Sequence, residues 1–208
     1  MQKTILLMLS GGIDSCYMLY YYLTQTDYAV HAHHISLRYP SEPRREQEDI
    51  ACRNIVEYCC RIRPFDYTQS RFDIGFKRYV GRDSDVQLMV AAKVAPNLKG
   101  EVCLAIGREK SDWELEVNQE RAKKNISGRL WNVLCDGIDY PLGEHISRTI
   151  LYPLMELDMD KGEMIAALPD ELVKMTWSCR RPVKDAADNI IHCGECKPCK
   201  TIRSMRAE

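Results

Sequence analysis

Thr4–Leu9 (Thr-Ile-Leu-Leu-Met-Leu) is continuously apolar, and Ser10-Gly11-Gly12-Ile13-Asp14-Ser15 follows it directly. The run is too short and too uniformly apolar for a surface helix and reads as a central strand of a parallel sheet. After the glycines, Ile13–Leu23 carries apolar residues all round (Ile13, Tyr17, Met18, Leu19, Tyr20, Tyr21, Leu23), the pattern of a helix packed in an interior or at a subunit contact. Strand, Gly-Gly turn and helix start form a cradle for an anion. Consecutive glycines let the backbone approach closely and take up positive φ. The first N–H groups of the helix then point at the anion along the dipole. Asp14 and Ser15 fall in that first turn, placed to cap it or to meet a metal or phosphate oxygen.

The rest of the first 155 residues continues the alternation of strand and helix. Strands are expected at Tyr28–Ile35, weakly at Phe65–Tyr67, at Glu101–Ile106 and at Leu151–Leu154. Helices are expected at about Glu46–Arg61, Asp85–Ala95 (capped by Ser84 and ended by Pro96) and Trp113–Lys124, then Lys161–Leu168 and a short one from Pro169 to Lys174. Arg71–Arg82 reads as irregular and basic, and the stretch from Lys124 to Ile150 as poorly patterned. The charges of Glu46, Glu48, Asp49, Arg53 and Glu57 read as a solvated helix face with Arg44 and Arg45 just ahead. His31, His33 and His34 read as polar residues near the active end of a strand rather than as metal ligands. The expected fold class is α/β, a doubly wound parallel sheet with the anion loop after strand one. Ligands gather at the C-terminal edge of such sheets, so Gly107 to Asp112, after the Glu101–Ile106 strand, is a second active-site loop by position.

With 208 residues, 45% apolar and 28% charged, the chain fits one domain with a sizeable core. A net charge of −1 gives no long-range attraction to nucleic acid or anionic lipid. No apolar run reaches the ~18 residues of a membrane span and no basic-then-apolar leader is present, so a cytoplasmic protein is expected.

Six of the ten cysteines (Cys16, Cys52, Cys59, Cys60, Cys103, Cys135) are scattered, whereas Cys179, Cys193, Cys196 and Cys199 crowd the last thirty residues. Without a leader a disulfide framework is not expected, and the cluster reads as metal ligands. Four thiolates complete a tetrahedral zinc shell, and the Cys-x2-Cys-x2-Cys run lets three converge from one turn. The polar tail has too few apolar residues to fold without such a clip. An iron–sulfur cluster or a redox pair would use the same residues and is the rival reading. The expected division is residues 1–175 as the nucleotide-binding α/β unit and 176–208 as the four-cysteine segment.

Ser-Gly-Gly-x-Asp-Ser matches the pyrophosphate loop of the ATP pyrophosphatases. Loop and tail together resemble the 7-cyano-7-deazaguanine synthase family within that superfamily. The tail carries Thr176-Trp177-Ser178-Cys179, then His192-Cys193-Gly194-x-Cys196-x-x-Cys199-x-x-x-Arg203. Val80-Gly81-Arg82-Asp83, Ala105-Ile106-Gly107, Ser111-Asp112 and Tyr152-Pro153-Leu154-Met155 fall in the family's order. The resemblance implies adenylation of a deazaguanine carboxylate by ATP and Mg²⁺, displacement of AMP by ammonia to give an amide, and a second ATP-driven step to the nitrile, as in queuosine biosynthesis. It implies nucleotide binding by Leu9, Ser10, Gly11, Gly12, Ile13, Asp14, Ser15 and Gly107. Catalytic roles are implied for Ser10, Asp14 and Ser15, for Arg82 and Lys110 in offsetting phosphate charge, and for Asp112. Structural Zn²⁺ is implied at the four cysteines, with a homodimer as assembly state and no direct nucleic-acid or membrane partner.

The sequence also departs from the family. Glu114-Leu115-Glu116-Val117-Asn118-Gln119 stands where Tyr-Pro-Asp-Cys-Arg is usual, and Tyr39 to Arg45 replaces Gly-Gln-x-His. Asp83 replaces Asn, and Arg180 replaces an aromatic residue. These changes cluster where the acceptor would lie, so other carboxylates, in a nucleotide or a peptide terminus, fit the same chemistry. Two further classes remain open. In a tRNA thiolase, a cysteine pair would relay sulfur, but adjacent helical Cys59 and Cys60 diverge by about 100°. A non-catalytic nucleotide sensor would not need the intact Asp14 and Ser15.

Overall fold

The computed structural model describes residues 2–39, 42–73, 83–114, 116–139 and 149–206. Its centre is a five-stranded sheet of β1 (Lys3–Met8), β2 (Ala29–Arg38), β3 (Asp66–Asp73), β4 (Glu101–Ala105) and β5 (Thr149–Leu151) in the order β3-β2-β1-β4-β5. Every neighbouring pair is parallel. The chain runs outward from β1 through β2 to β3, then returns to the other side of β1 to lay down β4. The order therefore reverses between β1 and β4, which opens a crevice at their C-terminal ends.

The period of two along β1 explains why both faces are covered. Ile5, Leu7 and Leu9 pack with α1 (Ile13–Gln25), α2 (Arg45–Cys60), α8 (Lys161–Ala167) and α9 (Asp170–Met175). Leu6 and Met8 point the other way, to α3 (Asp83–Val94) and α6 (Ile126–Asp139). Between them lie α4 (Lys110–Trp113), α5 (Glu116–Lys123) and α7 (Pro153–Glu156), and a 3₁₀ turn at Ala95–Asn97 contains Pro96. The tail forms an antiparallel hairpin of β6 (Val183–Lys184) and β7 (Ile190–Ile191), then α10 (Lys197–Arg206).

The doubly wound α/β expectation holds, and the differences have local causes. The stretch after Lys124 forms α6, whose Leu130, Trp131, Leu134 and Cys135 pack on the second face; Trp131 is fully buried. Gly128 and Gly137 had masked this i, i+4 spacing, and tertiary packing overrides their poor helix propensity. β3 is longer than its apolar signal and takes in Arg71, because a polar edge strand is held by its ladder to β2 rather than by burial. Leu151-Tyr152-Pro153-Leu154 is not one strand: β5 stops at Leu151, and Pro153 opens α7 with the fixed φ of a first helical residue. The single charged helix at Trp113–Lys124 is instead α4 and α5. Among the described residues no helix is long and apolar enough to cross a membrane.

Candidate functional site

The loop from Leu9 to Ser15 leaves β1 at the crevice. Gly11 adopts φ +80°, and a Cβ there would meet the Ala51 side chain at 3.0 Å and the Glu48 carbonyl oxygen at 3.1 Å, so glycine is required twice over. Gly12 begins α1, and no side chain caps that helix end. Asp14 and Ser15 thus do not take the capping role open to them. Ser15 is drawn inward: its Oγ accepts from the Ser10 N–H at 3.1 Å, lies 3.0 Å from Ser10 Oγ, and donates to the Gly12 carbonyl at 3.1 Å. The two hydroxyls brace the turn, with Ser10 Oγ also accepting from the Gly12 N–H at 3.4 Å, and no side chain caps the α1 N-terminus, the end of a helix that suits an anion.

Gly107, after β4, closes the other wall. A Cβ there would lie 2.9 Å from Met18 Cε and 3.4 Å from Asp14 Cβ, so the glycine lets the β4 loop rest on the start of α1. That loop delivers Glu109 and Asp112. Lys161 Nζ, from the first residue of α8, stands 3.4 Å from Asp14 Oδ1 and 3.7 Å from Glu109 Oε1. A capping box at Asp160 and Glu163 fixes that helix start. Burial pushes the Asp14 carboxyl up to about 6 against the pull of Lys161, with Glu109 and Asp112 adding to the rise. Burial also works against the Lys161 charge, but Asp14 and Glu109 more than offset it and hold the ammonium above its ordinary range. Asp14 Oδ1 is enclosed, and its partner among the described residues is the Lys161 ammonium, an ion pair at 3.4 Å without a well-aligned hydrogen bond. An enclosed carboxylate oxygen, loosely paired and with the Glu109 and Asp112 carboxylates nearby, suits a hard divalent cation.

Sequence reasoning missed Lys161 and chose Lys110. Lys110 instead pairs with Asp158 at 2.7 Å on the surface, half exposed. That hydrogen bond, opposed by slight desolvation, raises its proton affinity. The capping box was visible in Asp160-Lys161-Gly162-Glu163, but nothing local shows that α8 ends against the loop. Arg82, the other expected cation, lies outside the described residues, as do Val80 and Gly81.

On the opposite flank Glu46, Arg53 and Glu57 are exposed, as a solvated face of α2 requires, but Arg44, Glu48 and Asp49 turn inward. Arg44 is buried and donates to Asp83 Oδ2 at 2.8 Å and to Glu48 Oε1 at 3.1 Å, with Glu42 Oε2 at 3.1 Å from its Nε. Tyr39 donates to Asp83 Oδ1 at 2.7 Å. Burial pushes Glu48 up to about 7 in spite of Arg44. A small cavity of about 50 Å³ joins Glu48, Arg44 and Asp83 to Ser10 and His33. Of the histidines, His31 and His33 share the Thr68 hydroxyl, each at 2.7 Å, and fasten β3 to β2.

Cys179, Cys193, Cys196 and Cys199 converge, with all four Sγ atoms within 4.8 Å of one another. Cys179 to Cys193 is 3.5 Å, and Cys193 to Cys199 and Cys196 to Cys179 are both 4.0 Å. Four thiolates ~2.3 Å from one tetrahedral ion stand at about this spacing. A cubane, with one thiolate per iron, holds them farther apart. The backbone N–H groups of Cys196 and Glu195 both donate to Cys193 Sγ at 3.4 Å and bring that thiol down to about 6. Gly194 makes this turn at φ +71°, with the Arg203 guanidinium over it. Burial pushes Cys199 up to about 12 in the metal-free thiols. The donor set fits a single soft or borderline metal ion.

This segment touches the loop directly. The Trp177 N–H donates to the Gly11 carbonyl at 2.8 Å, and the indole donates to the Cys179 carbonyl at 3.0 Å. The indole also stacks on His192 at 4.0 Å, so Trp177 packs the clip onto the loop. A cavity of about 450 Å³ opens beside it, lined by Ile13, Lys174, Thr176, His192 and Arg203 among others. Among the scattered cysteines, Cys16, Cys52 and Cys59 are fully buried. Cys60 is exposed, so the Cys59–Cys60 pair diverges as its helical spacing dictates.

The features together define a parallel α/β protein with a glycine loop at its switch point and a four-thiol cluster docked on that loop. No family model matches the chain, and no curated protein matches it in sequence. Among solved structures, its fold is similar to that of the U34-tRNA thiolase NcsA from Methanococcus maripaludis with its [4Fe-4S] cluster, with a TM-score of 0.51 and 17% sequence identity. The similarity covers 98% of this chain and 63% of the thiolase, so the chain spans less than two thirds of that protein. At this identity the likeness is one of fold.

Proposed function

We propose that the protein is an ATP-dependent carbon–nitrogen ligase of the pyrophosphate-loop type. It adenylates the carboxylate of 7-carboxy-7-deazaguanine, or a close analogue, and converts it with ammonia to the amide and then the nitrile. The observation that carries this reading is the Ser10–Ser15 cradle, uncapped at the switch point and tied to the four-thiol segment through Trp177. In the first step a carboxylate oxygen attacks the α-phosphorus and pyrophosphate leaves. Ammonia then attacks the acyl carbon, losing a proton as AMP departs. The amide oxygen then attacks the α-phosphorus of a second ATP, pyrophosphate leaves, and loss of the two N–H protons with AMP as leaving group gives the nitrile. Positioning and charge neutralisation dominate such displacements, and no protein nucleophile is required.

The loop amides and the α1 dipole bind the phosphates, Ser10 and Ser15 hold the turn, and Lys161 offsets charge that builds on the pyrophosphate. Arg82 is assigned a similar role on sequence grounds. Magnesium held by Asp14, with Glu109 or Asp112, would neutralise phosphate oxygens. The cavity at Lys174, His192 and Arg203 suits an anionic planar acceptor beside the start of α1. The metal of the four cysteines is assigned as structural zinc, since the four thiols complete its shell.

The test is release of AMP and pyrophosphate from zinc-loaded protein with Mg-ATP and ammonium, with and without 7-carboxy-7-deazaguanine, products read by mass. AMP release that depends on the acid, with amide or nitrile masses, is expected. ATP binding without any response to the acid would move the substrate to another carboxylate. A second reading, tRNA thiolation, is favoured by the fold likeness to the thiolase. It predicts iron and acid-labile sulfide in the purified protein rather than zinc, and a mass gain on tRNA supplied with a sulfur donor. The buried Cys16, Cys52 and Cys59 confine that reading to the four-cysteine site, because none of the three can reach a substrate without opening the core.

A further inference from the structure

One buried imidazole at the root of the loop has no part in the chemistry above. Leu9 is the residue at which β1 becomes the loop, and β2 holds it at both ends. Its N–H donates to the His33 carbonyl at 2.9 Å, and its own carbonyl lies 2.8 Å from His34 Nδ1. The β1–β2 register ends at Met8 opposite His33, so beyond that point a side chain takes over from the backbone ladder. The other nitrogen, His34 Nε2, is 2.7 Å from Asp49 Oδ1. The ring is 1% exposed.

A carbonyl and a carboxylate oxygen are both acceptors, so both ring nitrogens must donate, unless the proton on that side sits on Asp49. Ser36 donates to Asp49 Oδ2 at 2.8 Å, and Arg45 Nε donates in turn to Ser36 Oγ at 2.8 Å. Both contacts favour an ionised Asp49. The other titratable groups against the ring are His33, next to it on β2, and Cys52 of α2, whose Sγ lies 3.2 Å from Nδ1 and 3.5 Å from the Leu9 carbonyl oxygen. Cys52-His34-Asp49 has the order of a thiol nucleophile with its base and orienter. Full burial and a thiol pushed well above its ordinary range, by that burial first and then by the Glu48 and Asp49 charges, exclude the role.

We propose that His34 is a positioning residue in its doubly protonated form: with Asp49 as counter-ion, it clamps the Leu9 carbonyl and thereby sets the phosphate loop. The clamp ties the direction of Ser10 and the glycines to β2 and places a compensated cation behind the anion site. Its effect on nucleotide affinity rests on the ligase reading; the clamp itself does not.

The experiment therefore begins without nucleotide. Nitrogen-15 NMR of the zinc-loaded protein should show both His34 ring nitrogens protonated, with slowly exchanging protons. His34→Asn keeps an N–H where Nδ1 stands, whereas His34→Gln keeps one where Nε2 stands. Amide exchange at Leu9, Ser10 and Trp177, whose N–H groups bond to β2 or within and onto the loop, should accelerate about tenfold in His34→Gln and stay within about twofold of wild type in His34→Asn, the scale of one charge-assisted hydrogen bond. Mg-ATP affinity should follow the same order. A singly protonated ring in the wild type would overturn the proposal, as would equal loop protection in the two variants. Failure of the wild type to bind Mg-ATP would overturn the ligase reading alone, since the first two readouts still decide the clamp.

Discussion

The sheet and the tail are held by different physics. In the sheet, Ile5, Leu6, Leu7 and Leu9 are almost wholly removed from water, as are their partners Leu19, Leu88, Leu104 and Trp131. Each such side chain contributes roughly 1.5–3 kcal/mol of burial. In the tail, Val183, Ile190 and Ile191 are exposed, and the buried apolar residues are Cys179 and Cys199, themselves members of the thiol cluster. The sheet can hold its shape without a ligand. The tail must be ordered by what its thiols bind, and through the Trp177–Gly11 bond that order reaches the phosphate loop. A region without a core can thus serve as the backing of a site built on one.

Removing the metal is the severest test of this contrast. Chelation, or Cys179→Ser, should release amide protection in β6, β7 and α10 while β1 and β4 stay protected. The zinc proposed above would contribute on the order of 10–16 kcal/mol, as in zinc-finger peptides, so the tail should not survive without it. Hydrogen exchange read by mass gives the answer, and simultaneous loss of protection in the sheet would mean that the two regions are one cooperative unit.

Next in size are changes to the loop and its counter-charge. Ser15→Ala removes the contacts to Ser10 and Gly12, and Lys161→Met leaves Asp14 and Glu109 uncompensated. Each should lower the AMP release rate on the order of 10²-fold, as expected for a preorganised electrostatic group. Lys110→Met is the control, with a change within about twofold, because Lys110 forms an exposed pair with Asp158. A larger loss in Lys110→Met than in Lys161→Met would reverse the assignment.

A smaller effect separates function from stability within the loop itself. The Asp14 carboxyl is raised from 3.8 to about 6 in the folded protein. The folded state therefore binds the proton more tightly than the unfolded one, and stability falls as the pH rises through that window. Asp14→Asn should remove the penalty. Above pH 6 the variant should be more stable by on the order of 1 kcal/mol, a figure reduced by the partial solvent access of the side chain. Below pH ~4 the two proteins should unfold at the same urea concentration. A destabilised variant at pH 7 would show that the Lys161 pairing outweighs desolvation. In the AMP assay the same variant should be impaired, because the stability gain comes from removing a charge that the proposed chemistry uses.

How far the sequence could be read depended on whether the signal was local. β1, the glycine turn and α1 were legible because apolar continuity, paired glycines and a helical run are contiguous properties of Thr4–Leu23. The four cysteines were legible because three of the ligands share one turn. α6 was hidden by its own glycines, and β3 by the polarity that an edge strand tolerates. Lys161 and Lys110 are both lysines at a helix start, and no local feature distinguishes the one that meets Asp14 from the one that meets Asp158. Arg44 and Glu48 looked like a solvated face because the helical wheel cannot show that Asp83, from another helix, folds over them.

From its sequence alone, this chain declares a parallel α/β sheet, a Gly-Gly turn between the first strand and helix, and a four-cysteine cluster spaced as metal ligands are, since short-range sterics and residue spacing decide all three. The tertiary structure alone decides which charges share the crevice: Lys161 with Asp14 and Glu109, Arg44 with Asp83, His34 with Asp49 and the Leu9 carbonyl. These groups come from elements far apart in the chain. Their pairing follows from strand order and helix packing, and burial turns that proximity into strong interaction by excluding the water that would otherwise screen it.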